Sequence, residues 1–404
     1  MMNRRQLLAR LARLAALGGT GLVTGAVPSI FQSALAADSD HPERILVVFE
    51  MSGGNDGLNS IVPFADDNYY TLRPRIGIKQ NKLLKLDDHY GFNPGLLGFQ
   101  RLWNDGRLAI VHGVGYEQPS FSHFTSMAYW HTAAPNSGDE YGWCGRLADT
   151  LAPKPVPNFL INVDTTQSLA VRSRVHTPVV FDEPERFQRL GMKQARVMLD
   201  YVSKPVAGNA SLDYLDQVAH SADEASALVR EAWAKYKTPI DYGIAPAQLP
   251  KVAACIAAGL PARIYYLAFR NNAFDTHVQQ PDLHQRLLSY VADAIHGFQR
   301  DLERLGQADR VTTMIFSEFG RRAPENTNLG TDHGAANNMF MVGTQVRGGH
   351  YGKPASLTAL DAGDNLIYTT DFRRVYATAI DGWLQPGAAK SVLKDQFETL
   401  PIFG

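Results

Sequence analysis

The sequence predicts an α/β fold built on a largely parallel sheet, and two stretches near its start indicate this. The apolar run at 45–49 is short, rich in β-branched residues and followed by turn residues, as in a strand buried on both faces. Residues 96–102 have the apolar spacing of a helix and lead through an Asp-Gly stop into a second strand at 108–111. A helix that feeds a strand in this way is typical of a parallel sheet.

The same alternation of strands and helices returns in the second half of the chain. The segment at 119–133, PSFSHFTSMAYWHTA, contains the start of a helix. The remaining predicted elements are a strand at 157–163, a helical insertion at about 183–259, strands at 263–269 and 311–316, a helix at 285–305 and a last amphipathic helix at 370–384. We expect the strands at 45–49, 108–111, 263–269 and 311–316 to be neighbours in one sheet.

Composition is that of an ordinary globular protein with one or two domains. Of 404 residues, 45% are hydrophobic and 20% are charged, and the formal net charge is −1. Residues 1–36 hold four arginines and no acid, which leaves 35 basic residues against 40 acidic ones in the remainder. This remainder is mildly acidic and lacks the excess of basic residues that nucleic-acid-binding proteins have, so we expect no nucleic acid partner.

The amino terminus resembles an export signal of the twin-arginine type. Arg4 and Arg5 precede a weakly apolar stretch at 14–27, and Ala34–Ala36 offers a small-residue cleavage site. Residues 1–36 are therefore predicted to be a signal peptide and 37–43 a linker. A short uncleaved anchor helix is the alternative, but four glycines and Pro28 weaken a helix there. We expect the twin-arginine translocase as a partner, a periplasmic or secreted location and no stable transmembrane anchor.

Two cysteines, Cys144 and Cys255, lie far apart and lack the spacing of a metal site. They could pair after export or remain as two buried thiols.

Polar clusters follow the predicted strands. Asp56 lies in a glycine turn after the first strand, where an ordinary Asn-Asp-Gly turn is an equally good interpretation. The other clusters are Ser120, Ser122 and His123 after strand 108–111, Asp275 and His277 after strand 263–269, and the segments 317–322 and 330–337 after strand 311–316.

Carboxyl ends of parallel strands meet at one edge of a sheet. Carboxylates and histidines gathered there would repel one another unless a cation bound them, which favours zinc, manganese or another divalent ion. A lone Asp-x-His is more often a hydrogen-bonded loop.

Six motifs carry a resemblance to a known family. FEMSGGNDGLNSIVP, PSFSHF, FDTH, SEFGRR, TDHGAANNMFMVG and DFRRVYATAIDGWL resemble, in this order, domain-of-unknown-function family fifteen-oh-one. That family is grouped with the alkaline phosphatase and sulfatase superfamily, and its members are often twin-arginine exported. The resemblance covers nearly all of the mature chain. It implies an alkaline-phosphatase-like, three-layer α/β/α sandwich with a two-metal hydrolase site.

The resemblance also implies roles for individual residues. Ser122 is near the nucleophile position, at a helix amino terminus that favours an anion, with Ser120 and His123 as alternatives for that place. The implied metal ligands are Asp56, Asp275, His277, Glu318, Asp332 and His333. Arg321 or Arg322 could clamp a phosphate or sulfate oxygen, or could instead form an ion pair that orients Glu318.

Two departures from the superfamily pattern concern the metal ligands. Only one residue separates Asp275 from His277, where the superfamily has three, and Phe319 stands where a histidine ligand is usual. Neither Cys144 nor Cys255 is in the sequence context that formylglycine formation requires, so a standard sulfatase is not expected.

The leading interpretation is an exported hydrolase of small phosphate or sulfate esters that uses zinc, manganese, magnesium or calcium. The alternative is a non-catalytic envelope binding or assembly protein that keeps the hydrolase fold with a degraded metal site. A nucleotide-binding oxidoreductase is disfavoured, because Gly53, Gly54 and Gly57 lack the glycine spacing of the dinucleotide fingerprint.

Overall fold

The computed structural model describes residues 44–187 and 226–404. The strands are β1 Ile45–Met51, β2 Ile61–Val62, β3 Leu84–Lys85, β4 Gly91–Phe92, β5 Leu108–Gly115, β6 Leu160–Val163, β7 Val179–Phe181, β8 Ile264–Phe269, β9 Val311–Phe316, β10 Gly320–Arg321, β11 His333–Gly334, β12 Asn337–Val342, β13 Gly349–Tyr351 and β14 Thr370–Asp371. The α-helices are α1 Asp67–Leu72, α2 Leu97–Asn104, α3 His123–Thr132, α4 Trp143–Leu151, α5 Leu249–Ala257, α6 Gln280–Arg304, α7 Phe372–Ala379 and α8 Ala389–Leu393, and residues 226–235 are also helical.

The central sheet has the strand order β13-β5-β12-β9-β1-β8-β6-β7, and β14 also pairs with β5. Among the described strands of this sheet, only β12 runs against the others, pairing antiparallel with both β5 and β9. The predicted strands at 45–49, 263–269 and 311–316 are neighbours, because β1 pairs with both β8 and β9. The strand at 108–111 is not their neighbour, since β12 lies between β5 and β9, and our expectation on this point was wrong.

Both faces of the sheet are covered by helices. Along β1, Ile45, Val47 and Phe49 pack in one core with α2, α5 and α6, whereas Leu46 and Val48 pack in a second core with α3, α4 and α7. Alternate side chains of a strand point to opposite faces, so a strand covered on both sides is apolar throughout. The predicted three-layer α/β/α fold with a largely parallel sheet is confirmed.

The two cysteines lie in different cores. Cys144 packs on one face of the sheet and Cys255 on the other, and both are buried free thiols. Of the two alternatives the buried thiols are correct, because the sheet separates the two side chains.

Several predictions fall outside the described residues. The proposed signal peptide at 1–36, the linker at 37–43 and residues 188–225 of the helical insertion are among them. In the parts of the chain that are described, no helix has the length and apolarity needed to cross a membrane.

Candidate metal centre

Two glycines after β1 bring three loops together. Gly53 and Gly54 have positive φ angles of 118° and 74°, a conformation that L side chains rarely adopt. A Cβ on Gly53 would lie 2.6 Å from the backbone nitrogen of Asp275, and one on Gly54 would lie 2.2 Å from the Phe319 ring. The glycine turn therefore packs directly against the loops that follow β8 and β9.

Glu318, just after β9, is fully buried in this turn. Its carboxylate accepts hydrogen bonds from the backbone N–H of Gly53 (2.9 Å) and of Gly54 (3.1 Å), and from the Ser317 hydroxyl (3.1 Å). The fourth contact is with Nδ1 of His123, at 2.8 Å. Glu318 thus links the β1 turn to the first residue of α3.

Three imidazole rings converge on the carboxylate of Asp275. Nε2 of His333 and Nε2 of His277 each lie 3.0 Å from Oδ1, and Nε2 of His123 lies 3.4 Å from Oδ2. Arg321 donates to Oδ1 from 2.8 Å. Burial raises the pKa of Asp275, but interactions with Arg321 and with the neighbouring His333 and His277 outweigh it and lower the pKa to about 2. Asp275 is therefore an anion at neutral pH.

The opposite nitrogen of each ring faces an oxygen atom. These oxygens are Oε1 of Glu318, 2.8 Å from Nδ1 of His123, the carbonyl of Phe121, 2.7 Å from Nδ1 of His333, and Oδ1 of Asp332, 3.2 Å from Nδ1 of His277. Carbonyl and carboxylate oxygens accept hydrogen bonds, so we assign the N–H of each neutral ring to Nδ1. Each Nε2 then carries a lone pair close to Asp275, and the Nε2 atoms of His277 and His333 are only 3.0 Å apart.

This arrangement fits a divalent metal ion. One ligand atom from each of His123, Asp275 and His333 lies within 4.8 Å of the other two, and Nε2 of His123 is buried without a hydrogen-bond partner. Imidazole rings held through the second nitrogen by an oxygen are typical of metal-binding histidines. Burial lowers the pKa of His333, which favours the neutral ring that ligates metals, whereas the hydrogen bond with Glu318 raises the pKa of His123, so a metal ion at that ring competes with a proton. Two nitrogens and one oxygen suit zinc or a similar ion.

Asp56 contributes no atom to this group of ligands. It is fully buried, and its carboxylate contacts Arg73 at 2.7 Å and the Gln280 amide at 2.6 Å. Burial raises the pKa of Asp56, but the charge of Arg73, the nearby His284 and hydrogen bonds from Arg73 and Gln280 together hold the pKa below its usual value. The structure thus places Asp56 in a buried ion pair.

Arg321 is fully buried as well, and its ion-pair partner is Asp275. The remaining donors of the guanidinium contact the carbonyls of Gly53, Gly54, Phe274 and Thr331. Every nitrogen of this side chain is therefore engaged with the protein. Nε of its neighbour Arg322 is buried without a hydrogen bond.

Of the three candidates for the nucleophile position, only His123 contacts the converging side chains. Ser122 is exposed and caps α3, its hydroxyl accepting from the N–H of Thr125 at 3.4 Å. The Ser120 hydroxyl accepts from the N–H of Ser122 at 3.3 Å. Phe319 is fully buried, with its ring centre 4.9 Å from that of His123 and 4.6 Å from that of His333.

A second polar cluster, absent from our sequence predictions, adjoins this site. The Glu50 carboxylate in β1 contacts Nε2 of His131 at 3.1 Å and the Tyr266 hydroxyl, and that hydroxyl lies 2.8 Å from Nε2 of His131. Glu50, His131 and Ser52 line two adjoining cavities of about 330 Å³ each, and the first of these also contains His123 and Glu318. We call the two cavities together the cleft. The sequence feature that could have predicted this cluster is Glu50, an acid near the end of an otherwise apolar strand.

Comparison with solved structures finds distant likenesses. A sulfatase from Pseudoalteromonas sp. has 10% identity and a TM-score of 0.36, over 99% of this chain and 75% of that one. An alkaline phosphatase superfamily protein from Vibrio parahaemolyticus has 8% identity and a TM-score of 0.36, over 78% and 64%. The periplasmic domain of EptC from Escherichia coli, in complex with Zn, has 10% identity and a TM-score of 0.33, over 76% and 74%. Likenesses this weak do not establish an activity.

Comparison with sequences assigns the chain to a family. None of the curated proteins compared with it matches. Residues 43–374 match the family described as "Protein of unknown function (DUF1501)", and the chain belongs to that family.

Proposed function

We propose that this protein is an exported, metal-dependent hydrolase of phosphate or sulfate esters with an alkaline-phosphatase-like site. The observation that carries the proposal is the convergence of three imidazole Nε2 atoms on Asp275, with each Nδ1 held by an oxygen atom. Three lone pairs beside a carboxylate repel it and one another, and a divalent ion bound among them relieves this repulsion.

His123, Asp275 and His333 are the residues that would hold the ion, with His277 as an additional ligand from the same loop as Asp275. Arg321 fixes the position of Asp275, and Glu318 fixes the ring of His123. A divalent ion supplies Lewis acidity, which lowers the pKa of a nucleophilic hydroxyl or water and stabilises negative charge on the transferring group. Ser122 remains our candidate nucleophile.

The cleft is where we place the ester. Arg270 is the only lysine or arginine among the described residues that line it, and Arg270 is already paired with Asp164 at 2.5 Å. Glu50 and Glu318 make the rest of the lining acidic, so a phosphate or sulfate group needs the charge of a metal ion to bind there.

The test is metal analysis of the purified, folded protein together with thermal unfolding in the presence and absence of a chelator. We expect a stoichiometric divalent ion and a lower melting temperature after chelation, because an ion that binds only the native state stabilises it by about 2.7 kcal/mol at 100 times its Kd. Aryl phosphate and aryl sulfate esters should be hydrolysed with zinc, manganese, magnesium or calcium restored. A protein without bound metal, unaffected by chelator and inactive on both esters would favour the non-catalytic envelope protein.

Export is a separate part of the proposal. Replacing Arg4 and Arg5 with lysine should block transport of the folded protein, since the twin-arginine pair is the recognised element of such signals. The measurement is the amount of mature protein, starting at Ala37, in the periplasmic fraction. Normal periplasmic accumulation of the Lys-Lys variant would count against this route.

A further inference from the structure

One carboxylate of the cleft shares a cavity with the candidate metal centre without belonging to it. Glu50 lines both cavities of the cleft, and the first of these also contains His123 and Glu318. It is only 6% exposed, and the group of ligand atoms formed by His123, Asp275 and His333 does not include it. The proposed hydrolase site therefore gives this buried acid no role.

One oxygen of this carboxylate is engaged by two neighbours. The Tyr266 hydroxyl and Nε2 of His131 both contact Oε2 of Glu50, and they lie 2.8 Å from each other. A carboxylate only accepts hydrogen bonds, so the hydroxyl donates to Oε2 and its own oxygen accepts from the N–H of His131. Tyr266 and His131 thus satisfy Oε2 and leave the other oxygen, Oε1, without a donor.

Oε1 of Glu50 is open to the cleft. It has no hydrogen-bond partner in the part of the chain that the structure describes, where the contacts of this carboxylate are all made by Oε2. It is also not one of the buried side-chain atoms that lack a partner, so solvent reaches it. The space that Glu50 lines is the cleft. A carboxylate in such an enclosed position is stabilised by a ligand that donates to its free oxygen.

The charges around Glu50 favour a cation as that ligand. The other two acids of the cleft already have partners, since Asp164 pairs with Arg270 and Glu318 contacts His123 and the backbone N–H of Gly53. Among the described residues that line the cleft, Arg270 is the only lysine or arginine. Glu50 is therefore the acid of the cleft whose charge neither an arginine nor a lysine offsets.

A second acceptor lies beside Glu50. Ser52 is two residues further along the chain, so its side chain leaves the extended backbone on the same side, and it also lines both cavities. Its hydroxyl donates to Oδ1 of Asn272 at 2.9 Å, which leaves the hydroxyl oxygen to accept. A primary ammonium group has three N–H donors and suits two acceptors on one wall.

The opposite character is found on α3. Phe124 and Met127 of this helix line the first cavity together with Leu169, and Phe124 is 88% exposed. An exposed aromatic side chain at the edge of a cavity gains from contact with an apolar ligand. The cleft therefore combines an acidic end with an apolar wall.

We propose that the cleft binds a primary ammonium group through Oε1 of Glu50, on a molecule whose apolar body packs against Phe124. In the hydrolase proposed above, this ammonium group belongs to the alcohol part of the ester. Only that last step rests on the proposed function, because the ammonium site itself uses no metal ligand.

The first test is NMR titration of the purified full chain at neutral pH and low ionic strength. The probes are benzylamine, a cation with three N–H donors, benzyltrimethylammonium, which has the charge without the donors, and benzyl alcohol, which has a donor without the charge. We expect benzylamine to bind at least about tenfold more tightly than either. Glu50→Gln keeps the size of the side chain and should remove this preference. Glu140→Gln, which neutralises an exposed acid outside the cleft lining, should not.

Two more variants locate the ammonium group. Thr166 is exposed and lines the second cavity, so Thr166→Lys adds a positive charge within about a Debye length of Glu50. It should weaken benzylamine binding at least about twofold, even if Glu50→Gln does not fold. Asp275→Asn, which should lack the metal ion, should keep the preference for benzylamine, because an amine held by the metal would lose it.

The ammonium site is overturned if no probe binds or if benzylamine binds no better than benzyl alcohol. Unchanged benzylamine binding by Glu50→Gln or Thr166→Lys would overturn it as well, and so would loss of the preference in Asp275→Asn.

The second test compares two aryl phosphates, 4-(aminomethyl)phenyl phosphate and 4-(hydroxymethyl)phenyl phosphate. We expect the lower KM for the amine, and Glu50→Gln should remove the difference. Equal KM values would overturn the assignment of the ammonium group to the ester. If neither ester is hydrolysed while the preference for benzylamine persists, the hydrolase proposal fails and the ammonium site stands. If both are hydrolysed and no probe is preferred, the ammonium site alone fails.

Discussion

Asp275→Asn should remove the bound metal ion and, with it, the hydrolysis of aryl phosphate and sulfate esters. The Asp275 carboxylate is the one group on which all three imidazole nitrogens converge. Mutation of a residue that only supports a metal ligand typically weakens metal binding 10- to 100-fold, so loss of a ligand itself should cost more than about 100-fold. The loss of metal binding is measured by metal analysis and by how far a chelator lowers the melting temperature.

Two further variants make this prediction specific. The Asp332 side chain is 47% exposed and contacts His277 and Asn326. Asp332→Asn changes the support of His277 and no proposed ligand atom, so it should weaken metal binding by about tenfold or less. Ser122→Ala should remove hydrolysis while leaving the ion in place, if Ser122 is the nucleophile. Stoichiometric metal in Asp275→Asn, with the same chelator response as the unmodified protein, would show that the ion binds elsewhere.

Much of this site could be predicted because it follows from the order of the strands. β8 and β9 flank β1 in parallel, so the residues after their carboxyl ends meet at one edge of the sheet. Asp275, His277 and Glu318 follow directly from that rule. His333 reaches the same place because β11 pairs with β10 immediately after Glu318.

The sequence could not predict which side chains would pair across the loops. Asp56 has the position of a metal ligand after β1. Its carboxylate instead pairs with Arg73, which lies 17 residues later in the sequence. Phe319 takes the place of an expected histidine, and a ring from another segment, that of His123, lies against Glu318. Such pairings depend on the paths of whole loops, which local residue patterns do not determine.

The antiparallel strand β12 was missed for a related reason. Its sequence, NNMFMV, is apolar enough for a buried strand, but the direction of a strand depends on the connection that precedes it. A short loop after β11 returns the chain into the sheet between β5 and β9.

The second large effect that we expect is a loss of stability in Arg73→Met. Arg73 and Asp56 form a buried ion pair, with Nη1 of Arg73 2.7 Å from Oδ2 of Asp56 and both side chains at most 1% exposed. Removing Arg73 leaves the Asp56 charge buried without its cation, which typically lowers the free energy of unfolding by about 3–5 kcal/mol. Chemical denaturation should show this loss equally with and without chelator, because Asp56 lies outside the group of metal ligands.

The pH dependence of Arg73→Met provides an independent check on the ion pair. The folded-state pKa of Asp56 is below its ordinary value of 3.8, so the stabilisation is complete above that value and is lost as the pH falls through the lower folded-state pKa. The difference in free energy of unfolding between Arg73→Met and the unmodified protein should therefore be full at neutral pH and shrink in acid.

Adding Asp56→Leu should restore part of the lost stability, since no charge is then buried unpaired. Lys85→Met, which breaks a pair of exposed side chains, should leave the denaturation midpoint unchanged. If Arg73→Met were destabilised only when metal is bound, Asp56 would belong to the metal site after all.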